Sequence, residues 1–191
     1  MPPPLDPNRL RNAAATREAI LEAARRRFAR ESYDEVGLRD IGGDAGVDAA
    51  LVSRYFGSKE DLFAQVLRAC EASGGLTDGD PAGFGQRLAR ALVDGEGKQG
   101  SKLEGLIIML QSAGSANARE VVQRALEERL YAPLAEWLGG GEARVRARLA
   151  AGVIMGMAIS RVITGGYGLP PAERDRLRQR LADLLQACVE G

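Results

Sequence analysis

The stretch AGVDAALVSRYFGSKEDLF, Ala45 to Phe63, restricts the fold more than any other part of the chain. A short helical segment, Leu38 to Ala45, is followed by Gly46, where a helix end favours a left-handed residue. A second short segment, Ala49 to Phe56, comes directly after it. Ser58 then caps a third helix, with Asp61 at N3 in a capping-box arrangement. Two short helices joined by a tight turn cross steeply, and Ile41, Ala45, Val47, Val52 and Phe56 are placed to hold that crossing. Arg39, Ala50, Leu51, Ser53, Arg54 and Tyr55 are left pointing outward. Lys59 falls at the first position of the next helix, where a cation opposes the helix dipole. That placement makes sense if an anion such as phosphate sits there, held by backbone N–H groups and the lysine together.

The pattern is that of a helix-turn-helix, whose second helix enters the major groove of DNA. Base edges call for reaching side chains, and the flanking phosphates call for donors. Spacing alone also fits an ordinary helix pair with a glycine turn.

The rest of the chain reads as helix, with no strand alternation. Residues 1–12 are expected to form a tail, rich in proline and then in polar residues. Ala13 to Arg30 is the first helix, with Ile20, Ala24 and Phe28 on one face and arginines opposite. After the helix opened by Ser58, Asp80-Pro81 restarts a helix as cap and N1 proline. Lys102 to Ser112, Ala116 to Leu138, Glu142 to Thr164 and a last helix opening at Pro171 complete the set. The expectation is an all-α chain of about nine helices. Residues 13–58 would form the helix-turn-helix domain, and 59–191 a domain for effector binding and dimerisation.

Charge is informative by distribution only. The formal net charge is zero, but Arg9 to Arg30 contains seven arginines against two glutamates. Histidine is absent, and Cys70 and Cys188 flank no ligand pattern, so zinc sites and histidine acid–base catalysis are not expected. No cofactor or metal is called for. The N-terminus has no apolar core of a secretory signal. The apolar run Leu149 to Ser160 stops at Arg161, short of the ~20 residues needed to cross a bilayer. A cytoplasmic protein without a membrane partner is expected.

Thr16 to Leu67 resembles the DNA-binding domain of the TetR family of bacterial transcriptional regulators. The resemblance rests on the Ile20-Leu21-x-Ala23-Ala24 helix ending in Phe28, and on Tyr33 and Arg39-Asp40-Ile41. It continues through Ala45-Gly46-Val47 and Tyr55-Phe56-Gly57-Ser58-Lys59-Glu60-x-Leu62. It implies a homodimer on a palindromic operator in double-stranded DNA, with Arg39 on a base and Tyr55 and Lys59 on phosphates. Thr16 and Arg17 would touch phosphate from the first helix. Three positions depart from the family pattern. Gly42 replaces the usual alanine, Gly37 replaces a Ser or Thr cap, and Leu51-Val52-Ser53 replaces Thr-Leu-Tyr. The glycines predict a loose second helix, and Leu51 is suited to a thymine methyl.

In the C-terminal part, Gly152, Gly156 and Ser160 recur every four residues, and Leu177, Leu181, Leu184 and Cys188 form a narrow seam. Either stripe can pack within one chain or against a second copy. The resemblance favours a four-helix bundle made by two copies. An unknown small-molecule effector would sit among Phe63, Leu67, Leu88, Leu92, Leu106, Met109, Leu110, Leu126, Trp137 and Met155, with Leu130 and Met157 on the same apolar faces. Arg161, a charge in an apolar helix, fits an anchor for an acidic ligand or a paired position at a surface or seam. The leading function is a DNA-binding repressor released by an effector. A DNA-binding dimer without an effector is the second reading. An all-helical enzyme or lipid carrier is a distant third, with no catalytic residues to support it.

Overall fold

The computed structural model describes residues 7–71, 76–95 and 103–190, and among these every regular element is helical. Helix α1 is Pro7–Phe28, α2 Leu38–Ala45, α3 Ala49–Phe56 and α4 Lys59–Glu71. A single 3₁₀ turn, Pro81–Gly83, leads into α5, Phe84–Asp94. Helix α6 is Glu104–Ser112. Helix α7 runs as Arg119–Leu126, a π turn at Glu127–Tyr131, and Ala132–Leu138. Two long helices close the chain, α8 at Ala143–Thr164 and α9 at Pro171–Glu190.

Helix α1 starts at Pro7, inside the stretch 1–12 expected to be a tail. Proline is tolerated in a first turn because its missing N–H has no helical acceptor there. The polar residues after it suit a helix as well as they suit a tail. Residues 1–6 lie outside the described residues.

The N-terminal helices close on a small aromatic cluster. Phe28 from α1 meets Phe63 from α4 edge-on at 4.8 Å between centroids, and Tyr33 meets Phe63 at 5.2 Å. Each pair adds about 0.5–1.5 kcal/mol beyond its buried area. Arg27 of α1 forks onto Asp44 of α2 at 2.7 and 2.9 Å, and this holds the Asp44 carboxyl below its ordinary pKa.

The bundle is organised around α5 and α9. A Cβ on Gly85 would lie 2.1 Å from the Ala182 carbonyl oxygen, so only glycine lets these helices approach this closely. Gln186 fixes the register, accepting from Gly85 N–H at 3.0 Å and donating to Pro81 O at 3.1 Å. Helix α8 buries Ala147, Ala150, Ala151, Ile154 and Ala158 against the same core. At 22 residues it is long and apolar enough to cross a membrane by length and composition, which corrects the shorter run expected. The helix extends past both ends of the uninterrupted apolar run, and its inner face is packed inside the bundle.

Candidate nucleic-acid interface

The crossing of α2 and α3 is built locally. Gly46 takes the left-handed conformation (φ 70°) and its N–H reaches the carbonyls of Gly42 and Gly43, ending α2. Val47 N–H returns to Gly42 O at 2.9 Å. Gly42 is buried, and a Cβ there would stand 2.8 Å from Val47 O and 3.3 Å from the Asp48 carbonyl carbon. The glycine therefore lets the turn fold down tightly onto α2. Gly37 supplies no side-chain cap, but Asp40 reaches back to accept from Gly37 N–H at 3.1 Å, making half of a capping box. Asp48 caps α3 by accepting from Leu51 N–H at 2.7 Å, a cap the residue pattern alone did not single out.

This frame sets the outward face. Ile41, Val52 and Phe56 are buried, with Ala45 and Val47 partly buried beside them. Arg39, Ala50, Ser53 and Arg54 are exposed, and Leu51 and Tyr55 are half-buried. The Arg54 guanidinium lies 6.0 Å from the Tyr55 ring. The groups expected at base edges and phosphates thus lie along one helix and its approach.

The cations around this face are held to different degrees. Lys59 opens α4, where Ser58 and Asp61 form the full capping box: Asp61 N–H donates to Ser58 Oγ at 3.0 Å, and Ser58 N–H to Asp61 Oδ2 at 3.1 Å. The Lys59 ammonium stands 4.3 Å from the centre of the Tyr33 ring. Desolvation there lowers its pKa, with nearby Asp34 acting in the other direction. A phosphate at this helix end would relieve that cost by supplying an opposite charge. Arg17 lies over the Phe56 ring at 4.8 Å and donates to Gln65, so it is positioned before any anion arrives. The Thr16 hydroxyl donates to Asn12 O at 2.8 Å within α1.

Two polar contacts among the described residues join α1 and the loop before α2 to the bundle at and after α6. Arg25 of α1 forms an ion pair with Glu104 of α6. Asp34 accepts from Asn117 at 2.8 Å and is also hydrogen-bonded by Ser115, in the turn between α6 and α7; both bonds hold its carboxyl below its ordinary pKa.

The expected dimer seam divides into two groups. Leu181 is only 4% exposed and belongs to the chain's own core, which corrects its assignment to the seam. The spacing of Leu177, Leu181, Leu184 and Cys188 defines a stripe on α9, but the edge of that stripe at Leu181 turns inward. Leu184 is 51% exposed, and Leu177 and Cys188 are half-buried. On α8, Gly152 and Gly156 are exposed with open space above them, and Ser160 is half-buried.

The expected pocket residues are largely core. Phe63, Leu67, Leu88, Leu106, Met109 and Leu130 are buried, and Leu110, Leu126, Trp137, Met155 and Met157 pack partly buried against them. Periodicity finds the inner face of each helix, and inner faces mostly meet one another. Of the ten named residues, Leu92 borders a cavity of about 410 Å³ between α5, α6 and α8, together with Leu103, Ile107, Ala158, Arg161 and Val162. Arg161 donates to the carbonyls of Ala91 and Leu92 at the end of α5, at 3.2 and 3.3 Å. It caps a helix, a role that its spacing in the sequence does not show. A second, larger hollow of about 730 Å³ lies between α7 and the start of α8, bordered by Tyr131, Glu136, Arg144 and Arg148.

A helix-turn-helix with an exposed, cation-bearing second helix and a helical bundle behind it defines a DNA-binding regulator. Residues 20–66 match the family described as bacterial regulatory proteins, tetR family, and residues 82–189 match the tetracyclin repressor-like C-terminal domain. The chain belongs to the TetR family of bacterial transcriptional regulators. A TetR-family regulator from Streptomyces coelicolor is 30% identical, with a TM-score of 0.50 over 93% of this chain and 96% of that one. NalD, the secondary repressor of the MexAB-OprM multidrug efflux pump in Pseudomonas aeruginosa, shares the fold at 22% identity and a TM-score of 0.63, over 90% of this chain and 95% of that one. RaaS, a helix-turn-helix transcriptional regulatory protein of Mycobacterium tuberculosis, is 40% identical over 88 residues. That match covers 42% of this chain and 41% of RaaS. Family members bind DNA, form dimers and are generally not enzymes.

Proposed function

We propose that this chain is a homodimeric repressor that binds a palindromic operator and is released by a small-molecule effector. Residues 13–58 serve DNA contact, and residues 59–191 serve dimerisation and effector binding. Arg39, Ala50, Leu51, Ser53 and Arg54 face the groove, while Thr16, Arg17, Tyr55 and Lys59 hold phosphates.

One observation carries the dimer. Helix α8 exposes Val145 (55%), Leu149 (57%) and Ile163 (77%), and α9 exposes Leu184 (51%). Gly152 and Gly156 lie between them with nothing packed above. A face of large apolar residues around small ones suits a second copy of the same helices, and a two-fold pairing repeats each contact. Two equal recognition helices then read two half-sites about one or more DNA turns apart. The effector acts by differential affinity: it favours a dimer whose two α3 helices no longer match one face of DNA.

Leu184→Arg tests the interface. The residue is exposed in the single chain, so the variant is expected to fold, to sediment as a monomer and to lose operator binding. A dimeric Leu184→Arg variant would place the interface elsewhere. Selection of bound sequences from random DNA by the purified protein is expected to return palindromes. Tight binding of monomers to isolated half-sites would overturn the operator reading.

A further inference from the structure

We propose that the 410 Å³ cavity takes an amphipathic organic anion, a carboxylate on a short apolar chain. This rests on the reading of the protein as an effector-released regulator and names the effector's chemical class.

The cavity's size falls within the ~300–1,000 Å³ of small-molecule sites. Leu92, Leu103, Ile107, Ala158 and Val162 make its walls apolar. Arg161 is the one charged side chain among the described residues that line it. Arg25, Arg27, Arg148 and Arg178 are each paired with a carboxylate. Arg161 instead meets the partial negative charge of a helix end, through two long bonds from the same nitrogen. A guanidinium at the rim of apolar walls matches a ligand with a carboxylate head and a hydrocarbon body. An ammonium head would meet a like charge there.

The route to DNA begins at the cavity wall. Leu103 and Ile107 border the cavity, and Glu104 between them forms the ion pair with Arg25 of α1. At the far end of α6, Ser115 and Asn117 hold Asp34 in the loop before α2. An occupant that displaces α6 therefore acts on these two contacts with the N-terminal helices. The coupling is limited to the difference in ligand affinity between the two arrangements.

Octanoate is the probe, with octanol and octyltrimethylammonium as neutral and cationic counterparts, each below its micelle concentration. Binding to the full chain is read by calorimetry and thermal shift without DNA. DNA release is read separately on the selected operator. Octanoate is expected to bind and to weaken DNA binding. Arg161→Gln should lower octanoate affinity about tenfold or more, and Arg161→Lys should restore part of it. Should Arg161→Gln fail to fold, Ile107→Trp fills the cavity and is expected to abolish octanoate binding. Octanol or the cation binding as tightly as octanoate, no octanoate binding, or full octanoate binding by Ile107→Trp would each overturn the proposal. Glu104→Gln should keep octanoate affinity and reduce its effect on DNA, whereas unchanged coupling removes α6 from the route. If octanoate binds in the cavity but the protein holds no DNA, the regulatory reading falls and the anion site stands.

Discussion

Arg39 and Arg54 stand exposed at the helix-turn-helix and form no ion pair with a described residue. In the bundle, Arg146 and Arg161 are committed to backbone carbonyls. Arg146 donates to Val189 O at 2.8 Å and to Gly139 O, closing the ends of α9 and α7, as Arg161 closes α5. Helix ends leave carbonyls without an intrahelical donor, and a guanidinium there satisfies them while meeting the negative end of the dipole. Arg39 and Arg54 are thus kept solvated and available, whereas Arg146 and Arg161 are built into helix ends. Charge count cannot separate these uses, but geometry can. The comparison also assigns consequences: removing Arg39 or Arg54 should weaken DNA binding with little change in stability, and removing Arg146 should do the reverse.

Arg39→Ala gives the largest effect expected. If Arg39 makes a bidentate contact to a guanine, its removal costs about 1–3 kcal/mol per half-site on the cognate operator, and so roughly twice that for a dimer. Preference at one operator position should relax, and the melting temperature should hold. Lys59→Ala should instead weaken cognate and scrambled DNA about equally, and lower the slope of log affinity against log salt by about one for each phosphate no longer neutralised. Titrations of both variants at several salt concentrations separate the roles. A uniform loss for Arg39→Ala with altered base preference for Lys59→Ala would reverse them.

Arg146→Gln probes the other side of the comparison. Hydrogen bonds to a charged donor contribute about 1.5–3 kcal/mol, and two carbonyls would be left without theirs. Denaturant unfolding should show a loss of that order, with operator affinity per folded dimer unchanged. An unfolding midpoint equal to wild type would mean that water satisfies these helix ends as well as Arg146 does.

What could be read from the sequence follows the range of the interactions. Asp40, Gly46 and the Ser58–Asp61 box act within a few residues, so α2, α3 and the start of α4 fall where the residue pattern places them. The outward set from Arg39 to Lys59 follows from that register. The bundle depends on contacts between distant segments. The tight α5–α9 approach at Gly85 brings together residues about a hundred positions apart, and no local pattern marks it. Leu181 and Leu184 are both apolar on one helix, about 60° apart around its axis. Spacing does not tell which of them meets the chain's own core. Gly42 shows a subtler limit: helix propensity describes its cost within α2, but not the carbonyl of Val47 lying against it. Arg161 is conspicuous as a charge in an apolar helix, yet its acceptors lie in α5, some seventy residues away.

The smallest effect expected lies where the two regions meet. The Asp34 carboxylate accepts from Asn117 and Ser115, and those bonds hold its pKa below the ordinary value of 3.8. A carboxyl with a lowered folded pKa contributes stability above its unfolded pKa, and that contribution is lost as pH falls through the folded value. Asp34→Asn and Asn117→Ala should therefore each lower the melting temperature slightly at neutral pH. The difference from wild type should begin to shrink near pH 4 and disappear at lower pH, where Asp34 is protonated in both states. Asp44, Asp61 and Glu35 also have lowered pKa values, so wild type itself loses stability in the same range. Only the difference between wild type and variant isolates Asp34, and the double variant shows whether the pair acts as one contact. Equal losses for the single and double variants fit one shared bond between domain and bundle; additive losses would show that Asp34 and Asn117 act separately. A difference that stays constant from neutral pH into acid would mean that the carboxylate charge has no part in this tie.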